Sequence, residues 1–503
     1  MRPPHGRCWR RVTPCAVTAP SPRRTRRIGT APRSRAASTR RGRGRPPQGT
    51  PVSDTGPSDD PLALAEYAAG EAAVLSDAER WPTMDAAGAA RLHRWRTHPA
   101  APPWVHETGD RVTPDMLDRV RTPLPTEGWL EEHLETARRL LHYRGRTGLH
   151  TLADFPPISR AHLAADIAAF VPLDADLGRI LHGTSSGSTG AALLIPDDVE
   201  EVARGFHHLV GLVAGAGVAW RPDGERLALV SVVHQRQAFT YVSLVSGFAQ
   251  RAMVRLNLAA HAWGAASDRA AFLADADPQV ITGNPTSLAE LLAPDLRGAV
   301  RPLALFSGAM ALAAPLRADL EAAFGCPVFD VYGLHETRPI AVRTDDGPFR
   351  VLDRRVLVET LGPDGRPVAD GEVGEITVTA GENPLLPLVR YRTGDFGRLV
   401  PLPGGGVGIA DLEGREHTVF AGGGGGRIPC VDLTQQLQAH GARGWSVEQS
   451  ADGSVRARIA GGDADAVAGA LRALLGQPLE VERLERVADL GDGKPRRYRS
   501  AAR

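Results

Sequence analysis

Between Arg226 and Gly333 short apolar runs alternate with stretches of helical periodicity, and this alternation constrains the fold more than any other feature. "RLALVSVV" reads as a strand and "AFTYVSLVSGFAQRAM" after it as a helix. "PQVITG" is the next strand, "PTSLAELLA" a helix, "PLALFSG" a strand, "APLRADLEAAFG" a helix and "PVFDVYG" a strand. Such β-α repetition implies a layered α/β domain with a largely parallel sheet. From about residue 350 the period shifts to two, in "RVLVETLGPDGRPV" and "GEITVTA", with Asp-Gly turns at the boundaries, which reads as an antiparallel β subdomain.

The flanks complete the layout. Before residue 180 the pattern is helical, as in "WLEEHLETARRLLHY" and in "RAHLAADIAAF" with Ser159 as its N-cap. Beyond Gly414 a hairpin ("GWSVEQSADGSVRARIA"), a helix ("DADAVAGALRALLG") and a strand ("LEVERLERV") suggest a small α+β domain. The expected division is therefore an Arg/Pro-rich tail and linker (1–60), a large α/β domain (61–411) and a small C-terminal domain (412–503). A chain of 503 residues, 42% of them hydrophobic, is long enough to bury these cores.

Charge is unevenly distributed. Residues 1–50 hold 14 arginines and no acid, so the remaining 45 basic and 58 acidic side chains leave the body at about −13. A mildly acidic body gives no reason to expect a nucleic-acid partner. The tail is read as a disordered extension, with a nucleic-acid arm or an organelle transit peptide as the alternatives its composition allows. Cys8, Cys15, Cys326 and Cys430 form no C-x-x-C pair, which argues against a disulfide framework or a structural zinc site. The longest apolar run, "LVGLVAGAGVAW", is too short for a bilayer, so a soluble cytoplasmic protein without membrane partners is expected.

Five segments carry chemistry. "GTSSGSTGAALLIP" (Gly183–Pro196) interleaves hydroxyls with Gly187 and Gly190, a loop whose N–H and O–H groups can wrap a polyphosphate, although a plain Ser/Gly linker has the same composition. "VFDVYGLHET" ends a strand with Tyr332, a ring able to stack on a base, and Glu336, a carboxylate able to hold Mg²⁺. In "RYRTGDFGRL", Asp395 sits in a Gly-Asp turn suited to ribose hydroxyls. "LEGREHTVFAGGGGGRIP" places Arg415 at the domain junction. "GDGKPRRYRS" contains Lys494, the single lysine among 59 basic side chains; a GC-rich, arginine-favouring sequence has kept one ammonium here.

Together and in this order the five segments resemble the adenylate-forming superfamily of acyl-CoA synthetases and adenylation domains, and within it the phenylacetate–CoA ligase branch. "VYGLHE", the preceding "SGAM...LRADLEAAFG" and "PPISRAHL" point to that branch. The resemblance covers about residues 125–500. It implies that Thr184, Ser185, Ser186, Gly187, Ser188, Thr189 and Gly190 grip the β,γ-phosphates, and that Ser307, Gly308 and Ala309 line the adenine, with Tyr332 and Gly333 beside it. It further implies that Glu336 binds Mg²⁺, Asp395 the ribose, and Arg415 the nucleotide near a hinge. Lys494 would bridge the substrate carboxylate and the α-phosphate, then swing away with the small domain. Three departures stand out: Ala191-Ala192-Leu193 replaces a Pro-Lys, His335 stands where a hydroxyl is usual, and Glu416-His417 replaces an acidic pair.

The implied activity is ATP-dependent activation of an acid as acyl-AMP with release of pyrophosphate, then transfer to CoA or a carrier-protein thiol. A pocket near His234, Phe239, Tyr241, Gly333 and His335 suits an amino- or hydroxy-substituted aryl acid, as in antibiotic biosynthesis; a buried, hydrogen-bonded core residue is the plainer role for His234. An alternative keeps the ATP chemistry and adenylates nitrite for attack by an aryl amine, as diazotases do. A third, an inactive nucleotide-binding regulator, fits poorly with the retention of Lys494, Glu336 and Asp395. A homodimer is the expected assembly.

Overall fold

The computed structural model describes residues 75–185, 193–222, 224–235, 238–414, 418–491 and 497–501. Its centre is a 13-stranded sheet. Strands Leu229–Val233, Val280–Gly283, Ala304–Gly308 and Val328–Leu334 lie side by side and parallel. Their side chains alternate between two buried faces. Val230, Ile281, Leu305 and Val328 pack with Leu288, Leu316 and Leu320 of the connecting helices. Leu229, Val280, Ala304 and Phe329 pack on the other side with Val213 and Trp220. Burial on both faces is why these strands read as nearly unbroken apolar runs. Cutting Leu305 back to alanine here would cost about 2–5 kcal/mol.

The connecting helices end where their sequences direct. Helix Pro285–Glu290 has proline in its first turn and Asn284 as N-cap, whose side chain accepts from the Ser287 N–H. Helix Ala314–Phe324 stops at Gly325, which takes the left-handed conformation (φ 62°).

One expectation fails. The stretch expected as the helix "AFTYVSLVSGFAQRAM" is instead a pair of antiparallel strands, Tyr241–Val245 and Arg251–Asn257, reversed through Ala249 and Gln250 at φ 52°. Its period-two alternation prevails over helix propensity because Val242, Leu244, Ala252, Val254 and Leu256 all reach one core. The antiparallel strands expected from about residue 350 are present, and they extend the large sheet. Strand Arg338–Arg343 folds back on Val328–Leu334 and continues the same sheet through Phe349–Val351, Val407–Glu413, Leu388–Pro401, Gly374–Ala380 and Val356–Leu361. A parallel block and an antiparallel block thus join at residues 334–338.

The C-terminal residues build a second sheet of four strands, in the order Leu479–Leu484, Val455–Ala460, Gly444–Gln449 and Tyr498–Ser500. Helices Cys430–Ala439 and Ala464–Leu475 cover it with Leu433, Leu437, Val467 and Leu471 around Trp445. Asp463 caps the second helix by accepting from the Asp465 and Ala466 N–H groups, and Gly476 ends it at φ 59°. No described helix is long and apolar enough to cross a membrane.

Candidate nucleotide site

The carboxyl ends of the parallel strands deliver His234, Gly283, Ser307–Ala309 and Tyr332–Glu336 to one edge of the sheet, the usual place for ligand groups in such folds. Ser307 and Gly308 pair in register with Asp330 and Val331, which sets the Ser307–Ala309 turn beside Tyr332. Ala309 adopts φ 64°. The Ser307 hydroxyl is buried and meets no hydrogen-bond partner among the described residues.

Tyr332 and Asp395 meet across the two blocks. The Tyr332 hydroxyl donates to Asp395 Oδ2 at 3.0 Å and lies 3.4 Å from Thr393 Oγ1. The Asp395 N–H donates to Thr393 Oγ1 at 3.0 Å, and Gly394 at φ 79° makes the turn between them. A Cβ at Gly414 would sit 3.8 Å from Asp395 Oδ1, so the residue just before Arg415 borders the same carboxylate.

Glu336 is buried at the join between the blocks. Its Oε1 receives Arg160 Nη1 at 2.8 Å and lies 3.4 Å from the Tyr391 hydroxyl. Arg160 is delivered by strand Ile158–Ser159, which pairs with Tyr391 and Arg392. His335 Nε2 lies 3.1 Å from Asp197 Oδ2, and Arg338 reaches the other Asp197 oxygen at 2.7 Å and Glu201 at 3.0 Å. The His335 ring presses on Gly183, where any Cβ would collide with Nε2. Gly183 belongs to strand Ile180–Ser185, which pairs with Leu193–Asp198 as a hairpin leading into and out of the Ser/Gly/Thr loop. Glycine is likewise required at Gly333, whose Cβ would strike the Arg338 backbone.

Of the residues singled out from sequence, the structure gathers Tyr332, Gly333, His335, Glu336, Asp395 and the Ser307–Ala309 turn. Thr184 and Ser185 close the hairpin strand beside His335 in backbone register with Leu194 and Leu193. Ser186, Gly187, Ser188, Thr189, Gly190, Arg415 and Lys494 lie outside the described residues. Of the residues expected to line a substrate pocket, His234 follows strand Leu229–Val233 directly. His234 Nε2 lies 3.9 Å from Glu290 Oε2. The Phe239 and Tyr241 rings approach His106 at 4.9 and 5.9 Å. Tyr241 stands on the outermost strand, five strands from that of Tyr332 and so roughly 24 Å away at ordinary strand spacing. Arg160, Asp197, Arg338 and Glu201 went unassigned in the sequence. Arg160 lies within "PPISRAHL" and Asp197 ends the loop hairpin, but no spacing marks either as part of the site.

Glu336 supplies one carboxylate, and no group of three ligating side chains occurs among the described residues. One buried carboxylate suits Mg²⁺, which commonly takes one or two protein carboxylates and completes its shell with phosphate and water.

No protein-family profile matches the chain. It is similar to the phenylacetate-coenzyme A ligase of Escherichia coli (strain K12), 32% identical over 151 residues, or 27% of this chain and 34% of that protein. The phenylacetate-coenzyme A ligase of Pseudomonas putida is 36% identical over 92 residues, 17% of this chain and 21% of that protein. The chain thus spans about a third or less of the length of the curated relatives it matches. Among solved structures, a 2-hydroxyisobutyryl-CoA ligase in the postadenylation state with R3-HIB-AMP aligns with a TM-score of 0.54 at 16% identity, over 76% of this chain and 88% of that one. At that identity the likeness establishes the fold.

Proposed function

From a chain that has the fold of the adenylate-forming ligases and a sequence resembling their phenylacetate–CoA ligase branch, we propose an ATP-dependent, AMP-forming ligase. The observation that carries the reading is the meeting of Tyr332 and Asp395 beside buried Glu336 and the root of the hydroxyl-rich loop. In the proposed reaction an acid oxyanion attacks the α-phosphorus of ATP. A carboxylate O–P bond forms, the bond to the β-phosphate oxygen breaks, and pyrophosphate leaves. The protein contributes positioning and charge neutralisation along an in-line path.

In this reading the Tyr332 ring stacks on adenine beside the Ser307–Ala309 turn, while Asp395 holds the ribose and orients the Tyr332 hydroxyl. The loop from Thr184 to Gly190 wraps the outer phosphates, and Arg415 meets the nucleotide at the hinge. Lys494 neutralises both oxyanions as they approach; a compact ammonium on a flexible stem suits two partners better than a planar guanidinium. Glu336 holds Mg²⁺, which when bound neutralises phosphate charge. Residues 412–503 act as the domain that moves between half-reactions. The acyl group then passes to CoA or to a carrier-protein thiol.

We assign the acid to the aryl class, which the branch resemblance supports, and propose an amino- or hydroxy-substituted acid and a setting in cytoplasmic secondary metabolism. A second reading, adenylation of nitrite for attack by an aryl amine, is favoured by one observation: an imidazole, His335, held by Asp197 stands where the family resemblance leads one to expect a hydroxyl. Pyrophosphate release from ATP, measured with aryl acids with and without CoA and with nitrite plus an aminophenol, tests both. Release dependent on an aryl acid supports the first reading, release with nitrite alone replaces it with the second, and no release in any arm overturns the ligase assignment.

A further inference from the structure

On one face of the large sheet the apolar floor ends in a row of polar side chains. Leu229, Met253 and Val280 pack toward Val213 and Trp220. Two positions further along their strands, facing the same way, stand Ser231, Arg255 and Thr282. Ser231 is in register with both Arg255 and Thr282, and Tyr241 of the edge strand is in register with Arg255. The four form one row across neighbouring strands, close enough to serve a common ligand. All four are half-buried, whereas Leu229 and Val280 are buried. None of the four side chains meets a hydrogen-bond or ion-pair partner among the described residues, and Arg255 Nε is shut off from solvent. An arginine withdrawn from water is normally paired, as Arg343 is with Asp330 and Arg390 with Glu359.

Aromatic rings flank this guanidinium. Those of Phe239 and Tyr241 lie 4.9 and 5.9 Å from that of His106. Burial lowers the His106 imidazole and raises the Tyr241 phenol from their usual values, so both are neutral near pH 7, and the Arg255 charge acts on each. Glu107, beside His106, is taken up by Arg80. At the other end of the row Thr282 is in register with Phe306, one residue before Ser307. The row therefore runs from the edge strand toward the Ser307–Ala309 turn. Arg255 stands four strands from Tyr332, roughly 19 Å at ordinary strand spacing.

We propose that Arg255 and Tyr241 determine specificity by binding an anionic group at the far end of the activated acid, so that the preferred substrate is an aromatic acid carrying a second negative charge. The inference rests on the ATP-activating reading above. The guanidinium fork matches a carboxylate with two parallel hydrogen bonds, and the phenol adds a third donor. Phe239 and His106 flank the ring, and the Ser231 and Thr282 hydroxyls line the way toward the nucleotide. An acid without the second anion leaves the guanidinium and the phenol unpaired as it covers them, and this penalty is what separates the two kinds of substrate.

The test uses the full-length protein and measures kcat/KM for pyrophosphate release from ATP with two pairs of acids, phenylacetate against 4-carboxyphenylacetate and benzoate against terephthalate. In at least one pair the wild type should favour the dianion by about 10-fold or more. Arg255→Met should cut that ratio about 10- to 100-fold, and Arg255→Lys should recover part of it. Tyr241→Phe, which keeps the ring, should cut it about fivefold, and it carries the test if Arg255→Met does not fold. No preference for the dianion in the wild type, or a ratio that Arg255→Met leaves unmoved, overturns the proposal. If the wild type turns over none of the four acids, that result bears on the ligase reading, and calorimetric titration with 4-carboxyphenylacetate decides the site. One-to-one binding that is lost in Arg255→Met supports it; no binding, or binding unchanged in the variant, overturns it.

Discussion

The Tyr332 hydroxyl donates to Asp395 Oδ2 at 3.0 Å, tying the end of the last parallel strand to the longest antiparallel one. A neutral donor to a carboxylate contributes about 1.5–3 kcal/mol when partly buried. Tyr332→Phe should keep the ring and lose that bond, raising KM for ATP about 10-fold with kcat little changed. Asp395→Ala should weaken nucleotide binding further, by about 100-fold. Calorimetric titration with ATP checks both, and tight binding by the alanine variant would remove Asp395 from the ribose.

Lys494 has no substitute elsewhere in a chain whose other basic side chains are arginine. Lys494→Ala and Lys494→Arg should each lower pyrophosphate release by on the order of 10²–10³, the usual loss for a preorganised charge. The melting temperature of each should match that of the wild type. Normal release from the arginine variant would contradict the role given to the ammonium.

Arg160 and Glu336 form a buried pair, with the glutamate side chain only 2% exposed. Arg160→Met leaves that carboxylate without its cation and should cost about 3–5 kcal/mol, measured by denaturant unfolding. Mg²⁺ should restore stability to this variant more than it adds to the wild type, because a second cation can then serve Glu336. An equal effect of Mg²⁺ on both proteins would place the metal elsewhere.

Burial pushes the Cys326 and Cys430 thiols up to about 12, reinforced at Cys430 by the Glu413 carboxylate that its Sγ faces at 3.2 Å. Thiolate is therefore scarce at pH 8. Peptide mass spectrometry after iodoacetamide treatment should find both residues unmodified in the folded protein and alkylated after denaturation.

Burial pulls the His133 imidazole down to about 4, against the Leu388 carbonyl that accepts from it, and lowers His207 to about 4 as well. Because the folded values lie below the unfolded 6.5, their contribution to stability is complete above pH 6.5 and is lost as pH falls toward 4. For His133 this amounts to roughly 3 kcal/mol. Asp110 has the opposite sign: burial raises its carboxyl to about 6, so the folded state takes up a proton first and is favoured as pH falls from 6 to 4. Unfolding free energies at pH 7 and 5 should show a net loss in the wild type and a smaller one in His133→Gln.

The parallel block was legible in the sequence because its strands are buried on both faces and its helices carry their own caps, Asn284 and Gly325 among them. Residues 238–253 misled because Val, Leu, Phe and Ala there fit either period, and only pairing with Leu229–Val233 decides between them. Tyr332, Glu336 and Asp395 were legible as residue types at turns. Their mutual arrangement was not, nor were Arg160 and Asp197, which reach the site from 176 and 138 positions away. Pairing across such distances leaves no local pattern. Strand order and not sequence order likewise sets how far Tyr241 stands from Tyr332.

The continuous sheet that joins its two blocks at residues 334–338 also bears on how the molecule matures. Every pair that defines the candidate site is non-local: Tyr332 with Asp395, Glu336 with Arg160, and His335 with Asp197. Such contacts form late, after their loop-closure entropy has been overcome. A chain that has completed only its parallel block has no Asp395 in place, and one lacking the early strand at Ile158 has no partner for Glu336. In the proposed role, ATP would therefore bind finished molecules and pass over partly folded ones, drawing the population toward the complete sheet by mass action.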